Sequence, residues 1–325
     1  MTIKRTLAIL FLSFFILGAC ISQNRGKENP PKPPRGYSGE KILKLAIAVG
    51  LVDLIERNPE IPDYIDEIKN VTYKQVGDIS LQMDIYKRKD LAEDAPVIVF
   101  IHGGSWTKGK RSDYLPYLLD YAKKGYVTAT ITYRLSQIAM FPAALEDTKC
   151  AVRWIRAHAE DFMIDSEKIA VVGGSAGAHL AMMIAYSNEN EFDAGCSETA
   201  SSKVQAIVNL YGPVDLTTEY AREAGSVIKF LGATYQDDPQ RYTYASPKTY
   251  ISPGDSPTLI FQGTLDSLVP VSQADSLHVW LEKAGVYSEY HRLKGWPHTM
   301  DLSKKVNDYC QYYMDAFFEK YLRTD

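Results

Sequence analysis

The 325-residue sequence is short of histidine, with six, and of cysteine, with four. So few thiols imply no disulfide framework. It has no excess of positive charge: 36 Lys and Arg stand against 40 Asp and Glu, a net charge of -4. No Lys/Arg face is concentrated enough to neutralise a run of phosphates, which argues against nucleic acid as a partner. No apolar run reaches the roughly 20 residues of a comfortable membrane-spanning helix. No internal repeat, metal motif or phosphate motif is visible, so no cofactor and no metal are expected. What remains is ordinary for a globular chain: 46% hydrophobic and 23% charged residues. The length suffices for one large α/β domain with a full core. The 22 Tyr are read as core and pocket lining.

The N-terminus departs from this pattern. Lys4 and Arg5 precede an apolar run from Leu7 to Gly18, which closes on Leu17-Gly18-Ala19-Cys20. Charge, a short apolar stretch and then small residues make a secretory signal. Leu-Gly-Ala-Cys also resembles the bacterial lipobox, which implies that residues 1–20 are a lipoprotein signal and that Cys20 carries the lipid. Several acyl chains there give stable anchoring where one does not. Ile21 in place of Asp favours the outer membrane. Residues 21–38 contain Pro30-Pro31-Lys32-Pro33-Pro34, an extended, poorly ordered tether. The domain is then 39–325, with its core from about residue 70. With Cys20 acylated, Cys150, Cys196 and Cys310 are left, an odd number, and all are read as buried free thiols. Ile42 to Ile55 reads as a helix packed on the domain near the mouth of its site.

From Val71 onward strand and helix patterns alternate. Val71–Gln75 and Ile79–Tyr86 form a hairpin about Gly77-Asp78. Pro96–Ile101 is a continuous apolar strand suited to burial on both faces. Further strands are read at 126–132, 168–172, 204–210, 258–261 and 287–293, with helices at 115–124, 141–159, 176–186, 272–284 and 303–322. This predicts a mostly parallel, eight-stranded-type α/β sheet with helices on both faces, led by two antiparallel strands. The insertion at 216–252 is too small to be a lid domain.

Two glycine-rich motifs carry chemistry. Gly173-Gly174-Ser175-Ala176-Gly177 joins a strand directly to a helix. A serine on so sharp a turn is exposed at the carboxyl edge of the sheet, and glycines on either side remove clashes with the crossing elements. His102-Gly103-Gly104-Ser105-Trp106 follows the strand ending at Ile101. Its amides, with that of Ala176, suit an oxyanion hole, so Gly103, Gly104 and Ala176 are assigned to it. A nucleophilic serine needs a base and an orienting acid, in the chain order Ser, acid, His. His278 lies in a helix and His291 in a strand. His298, in a loop after the last strand, is the base. Asp266, after the strand 258–261, is the acid, with Asp215 as its rival. His102 is read as holding its loop and His179 as structural. Ser105, Trp106 and Trp296 are read as pocket lining.

With these residues in place, the chain resembles the α/β-hydrolase superfamily. Within it, the chain is similar to bacterial esterases related to hormone-sensitive lipase and to acetylxylan- and feruloyl-esterase-like (BD-FAE-type) proteins. The resemblance rests on His102–Trp106, Tyr133-Arg134-Leu135, Phe141–Asp147, Gly173–Leu180, Tyr211-Gly212-Pro213 and Gln262–Pro270. Gln262 stands where the family usually has His, and Ala178 where it often has Gly. The resemblance implies a serine carboxylic-ester hydrolase for short acyl or aromatic esters, small or glycan-linked. The alternatives are a prolyl-oligopeptidase-type peptidase, for which residues before Val71 are too few to build a propeller, and a catalytically silent binding module.

Overall fold

The computed structural model describes residues 29–324. The chain divides into two units, Met1–Lys32 and Pro33–Asp325, and the sheet and helices described here belong to the second. The lipobox and Cys20 lie outside the described residues.

Eight strands, β1 (Ile65–Val76), β2 (Ile79–Arg88), β3 (Ala95–Ile101), β4 (Val127–Ile131), β5 (Ile164–Gly174), β6 (Ala206–Leu210), β7 (Thr258–Gly263) and β8 (Ser288–Leu293), form one sheet in the order β1-β2-β4-β3-β5-β6-β7-β8. β1 and β2 pair antiparallel, as do β2 and β4. Every other pairing is parallel. The helices are α1 (Glu40–Ala48), α2 (Leu115–Lys123), α3 (Ala143–Ala157), α4 (Ala176–Tyr186), α5 (Glu219–Glu223), α6 (Gly225–Leu231), α7 (Pro239–Tyr244), α8 (Ser272–Lys283) and α9 (Lys304–Phe318).

The period of two along β3 builds both cores. Val97, Val99 and Ile101 face one side with Leu145 of α3, Leu180 of α4 and Leu277 of α8. Ile98 and Phe100 face the other with Leu118 of α2, Met314 of α9 and Leu43 of α1. Burial on both faces explains why the central strands read as unbroken apolar runs rather than alternating ones. Each fully buried Val, Leu or Ile contributes about 1.5–3 kcal/mol.

Four differences from the sequence reading have local causes. β1 begins at Ile65, earlier than predicted; Asn70 adopts a φ of 58°, and the register slips between Ile68 and Val71, a bulge that hides the alternation. The N-terminal helix stops at Ala48, because Gly50 turns into the left-handed region at φ 73°. The chain then reaches the body of the domain through a bridge between Leu54 and Ser303. The second half of the expected tether is docked, not loose: the Trp296 indole N–H donates to the Pro34 carbonyl at 2.9 Å and the Tyr37 amide to the Gly295 carbonyl at 2.9 Å.

The fourth is the cysteines. Cys150 and Cys196 form a disulfide, with Cα atoms 5.5 Å apart; among the described residues, Cys310 alone is a buried free thiol. The bridge ties α3 to the loop after α4, which α3 also grips through Lys149 and Arg153, donating to the Asn188 carbonyl at 2.6 Å and the Ala200 carbonyl at 2.7 Å. Closing 46 residues restricts the unfolded chain by up to about 4 kcal/mol. Replacing both cysteines with Ala is therefore expected to lower the unfolding free energy by an amount approaching that figure, read as a lower denaturant midpoint. An unchanged midpoint would show that the loop is held by its cationic clamps alone.

Candidate active site

The loops leaving the carboxyl ends of β3, β5, β6, β7 and β8 converge, which is where open parallel sheets place their sites. They carry His102–Trp106, Ser175, Tyr211, Asp266 and His298 respectively. A cavity of about 550 Å³ opens there, and Gly103, Gly104, Ser105, Ser175, Tyr211 and His298 all line it.

Ser175 sits between β5 and α4 with φ 55° and ψ -121°, a conformation that costs a non-glycine residue energy and persists only where the surroundings impose it. Its amide donates to the Leu210 carbonyl at 2.9 Å, which holds the turn against β6. The flanking glycines are required by contact: a Cβ at Gly177 would collide with the Ile101 carbonyl, and one at Gly173 with the Gly177 carbonyl. Ala176 is the first residue of α4, so its amide is among those the helix leaves unpaired. Gly103 packs against the Gly174 carbonyl, bringing the two glycine-rich turns together.

His298 Nδ1 and Asp266 Oδ2 are 2.6 Å apart, leaving Nε2 outside that bond. The Asp266 carboxylate also accepts from Gln262 Nε2 at 2.9 Å and from the amides of Leu268 and Val269 at 2.9 and 2.8 Å. Four donors fix its plane. Gln262, noted in the sequence only as a departure from the family pattern, is thus one of the donors that hold this carboxylate. Asp215 is elsewhere: it accepts from Thr217 and pairs with Lys248.

Trp106 and Trp296 do not line the cavity. Trp106 is buried and stacks on Phe230 with centroids 4.4 Å apart, because φ values of 56° and 57° at Ser105 and Trp106 turn the chain inward. Trp296 is buried under Tyr37 and the Pro34 carbonyl. Of the three residues read as pocket lining, Ser105 alone lines it.

His102 and His179 do not line the cavity. His102 donates from Nδ1 to the Gly103 carbonyl, 2.9 Å away, and stacks on Tyr133. Burial lowers its pKa. His179 donates from Nε2 to the Ala245 carbonyl at 2.7 Å, and burial pulls its pKa down to about 4. The unfolded chain, with an ordinary value near 6.5, binds more protons than the folded one between these limits. Stability is therefore full above about pH 6.5 and falls by about 1.4 kcal/mol for each further unit down to about pH 4. His179→Gln is expected to flatten that acid limb of a urea-midpoint profile; an unaltered limb would mean that another group sets it.

Sequence reasoning missed a polar cluster beneath the cavity. Asp301 is buried and accepts from Tyr211 at 2.6 Å and from Tyr117 at 3.3 Å. Burial, the largest influence, raises its pKa. Tyr211 reaches it from a backbone at φ 48°, and its ring stands edge-on to His298 at 4.6 Å. Among the described residues, no cluster of His, Cys, Asp and Glu is arranged to hold a metal ion.

A mostly parallel eight-stranded sheet, covered by helices on both faces and carrying a serine at the turn between β5 and α4, is the α/β-hydrolase fold. Residues 83–281 match the BD-FAE family, to which the chain belongs. Esterase LipQ of Mycobacterium tuberculosis is 33% identical over 272 residues, covering 79% of this chain and 63% of LipQ. The chain spans about three fifths of the length of the curated relatives it matches. Among solved structures, the esterase Est2 of Thermogutta terrifontis superposes with a TM-score of 0.68 at 26% identity, over 82% of this chain and 95% of that one. A bifunctional GH43-CE protein of Bacteroides eggerthii superposes with a TM-score of 0.71 at 25% identity, over 82% of this chain and 36% of that one.

Proposed function

We propose that this protein is a serine carboxylic-ester hydrolase working through an acyl-enzyme. The observation that carries the reading is the gathering of Ser175, His298 and the Gly103-Gly104 turn on one cavity, with Asp266 bonded to His298 Nδ1. Ser175 Oγ attacks the ester carbonyl carbon while His298 Nε2 takes its proton. The carbonyl oxygen becomes negative and faces the amides of Gly103, Gly104 and Ala176. As the carbonyl reforms, the C–O bond to the alcohol breaks and the alcohol oxygen takes the proton from His298. Water then repeats the sequence on the acyl-enzyme, releasing the acid and restoring Ser175. Asp266 holds the imidazole tautomer and stabilises its charged form.

Short acyl and aromatic esters suit a cavity of about 550 Å³, and the tyrosine hydroxyls beneath it suit a glycan-linked alcohol. The full chain is expected to turn over 4-nitrophenyl acetate and butyrate, and to release acetate or ferulate from esterified xylan. Turnover of the simple esters alone would remove the glycan from the reading.

The protein also acts, in this reading, as an exported lipoprotein anchored through Cys20. The lipobox-like Leu17–Cys20 supports this, and so do the apolar side chains that α1 and the following turn leave exposed, Ile42, Leu45 and Leu51 among them. Palmitate labelling that survives Cys20→Ser would sink it.

A further inference from the structure

The chain as a whole is acidic, yet the mouth of this cavity is cationic. Arg57, Lys108 and Lys110 line it; the acidic residues there are Asp113 and Asp301. Asp301 is buried and its oxygens accept from Tyr211 and Tyr117. Asp113 is engaged at both oxygens, by Arg57 at 3.5 Å and by the Lys110 amide at 3.0 Å. The ammonium groups of Lys108 and Lys110 are exposed, and among the described residues neither has a hydrogen-bond or ion-pair partner.

These two lysines are not on a free-swinging loop. The Gly104 carbonyl accepts from the Lys108 amide at 3.1 Å. A Cβ at Gly104 would collide with the Lys108 carbonyl, and one at Gly109 with the His102 ring and the Gly103 carbonyl. The segment bearing both charges is therefore pressed against the turn that is assigned to the oxyanion, so backbone fixes the points from which both side chains reach, at the rim of the cavity. Arg57 is held from the opposite segment, where the Ile55 amide donates to the Leu302 carbonyl at 2.9 Å. Two unpaired cations tethered at the rim of a concave site repel a cationic ligand and attract an anionic one, without any contact to the reacting bond.

We infer that the preferred substrate is an ester bearing a carboxylate or a comparable anionic group away from the scissile bond, which Lys108 and Lys110 bind. The inference rests on the esterase reading of Ser175 and names its substrate class. A uronate on the alcohol side and a dicarboxylic acid on the acyl side share this chemistry.

Matched pairs distinguish the two sources. Mono-4-nitrophenyl adipate and its methyl ester differ in charge on the acyl side; 4-acetoxybenzoate and its methyl ester differ on the alcohol side. For the full chain at low salt, the kcat/KM ratio of anion to neutral ester is expected to exceed one by about tenfold in one pair, since each exposed charge pair is worth a factor of a few. Lys108→Gln with Lys110→Gln should bring that ratio near one, chiefly through KM, and Lys229→Gln, on α6, should leave it unchanged. Raising the salt should lower the parent's ratio, because exposed charges are screened within about 10 Å at 0.1 M. Turnover of both neutral esters with ratios at or below one, insensitive to the lysines, overturns the inference and leaves the esterase standing. No turnover of any of the four by folded protein overturns the esterase reading and the inference with it.

Discussion

Ser175→Ala is expected to lower kcat for 4-nitrophenyl acetate by roughly 10⁴- to 10⁶-fold, the range seen when a triad serine is removed elsewhere. That is a loss of about 5–8 kcal/mol of transition-state stabilisation. The variant is a fair test because the fold tolerates it. Ala has the same cost as Ser at φ 55°, and Gly173 and Gly177, which meet the crossing backbone, are untouched. The thermal midpoint should therefore move little. Some rate above water should persist, since the amides of Gly103, Gly104 and Ala176 remain. A fluorophosphonate probe should modify the parent at Ser175 and leave the variant unlabelled. A folded parent that neither turns over simple esters nor takes the label would move the silent binding role to the front.

The sequence carried the fold because its decisive signals are local. Val97 to Ile101 is apolar without a break, which fits a strand covered on both faces, and β3 has helices on each side. The serine turn is legible for the same reason: glycines at 173 and 177 make sense only where backbones cross. Signals that depend on distant partners were not legible. Asp301 meets Tyr117 from 184 residues away and Tyr211 from 90, and nothing in a Thr-Met-Asp-Leu stretch points to either. Cys150 and Cys196 are two of four cysteines and lie 46 residues apart, so only their approach in space shows the pair. Trp106 and Trp296 flank the site motifs in sequence, but a positive φ turns one into the core and docking of residues 34–37 covers the other. Proximity in sequence to a catalytic motif is weak evidence about where a large side chain points.

Asp266→Asn is expected to cost about 10³- to 10⁴-fold in kcat while Asp215→Asn changes it by less than about tenfold. The reason lies in donor arithmetic. The carboxylate offers acceptor sites only, and four donors face it: His298 Nδ1 and Gln262 Nε2 at Oδ2, the Leu268 and Val269 amides at Oδ1. An amide has one oxygen and one NH₂. If the oxygen keeps the two backbone amides, which cannot turn away, the NH₂ confronts His298. The imidazole then satisfies it by accepting at Nδ1, which puts the ring proton on Nε2, the nitrogen that must be bare to take the Ser175 proton. The loss is thus one of tautomer, with the site's shape retained. Gln262 loses its carboxylate acceptor, though Nε2 keeps the Val269 carbonyl at 3.1 Å, so a stability cost of up to about 1–3 kcal/mol is added and circular dichroism at the assay temperature is measured beside the rate. Asp215 bonds Thr217 and Lys248, and Asp301 is held by Tyr211 and Tyr117; neither bonds the His298 ring. Should Asp215→Asn or Asp301→Asn abolish turnover while folded Asp266→Asn retains it, the acid is misassigned and the orientation of His298 must come from the tyrosine-lined side of the cavity.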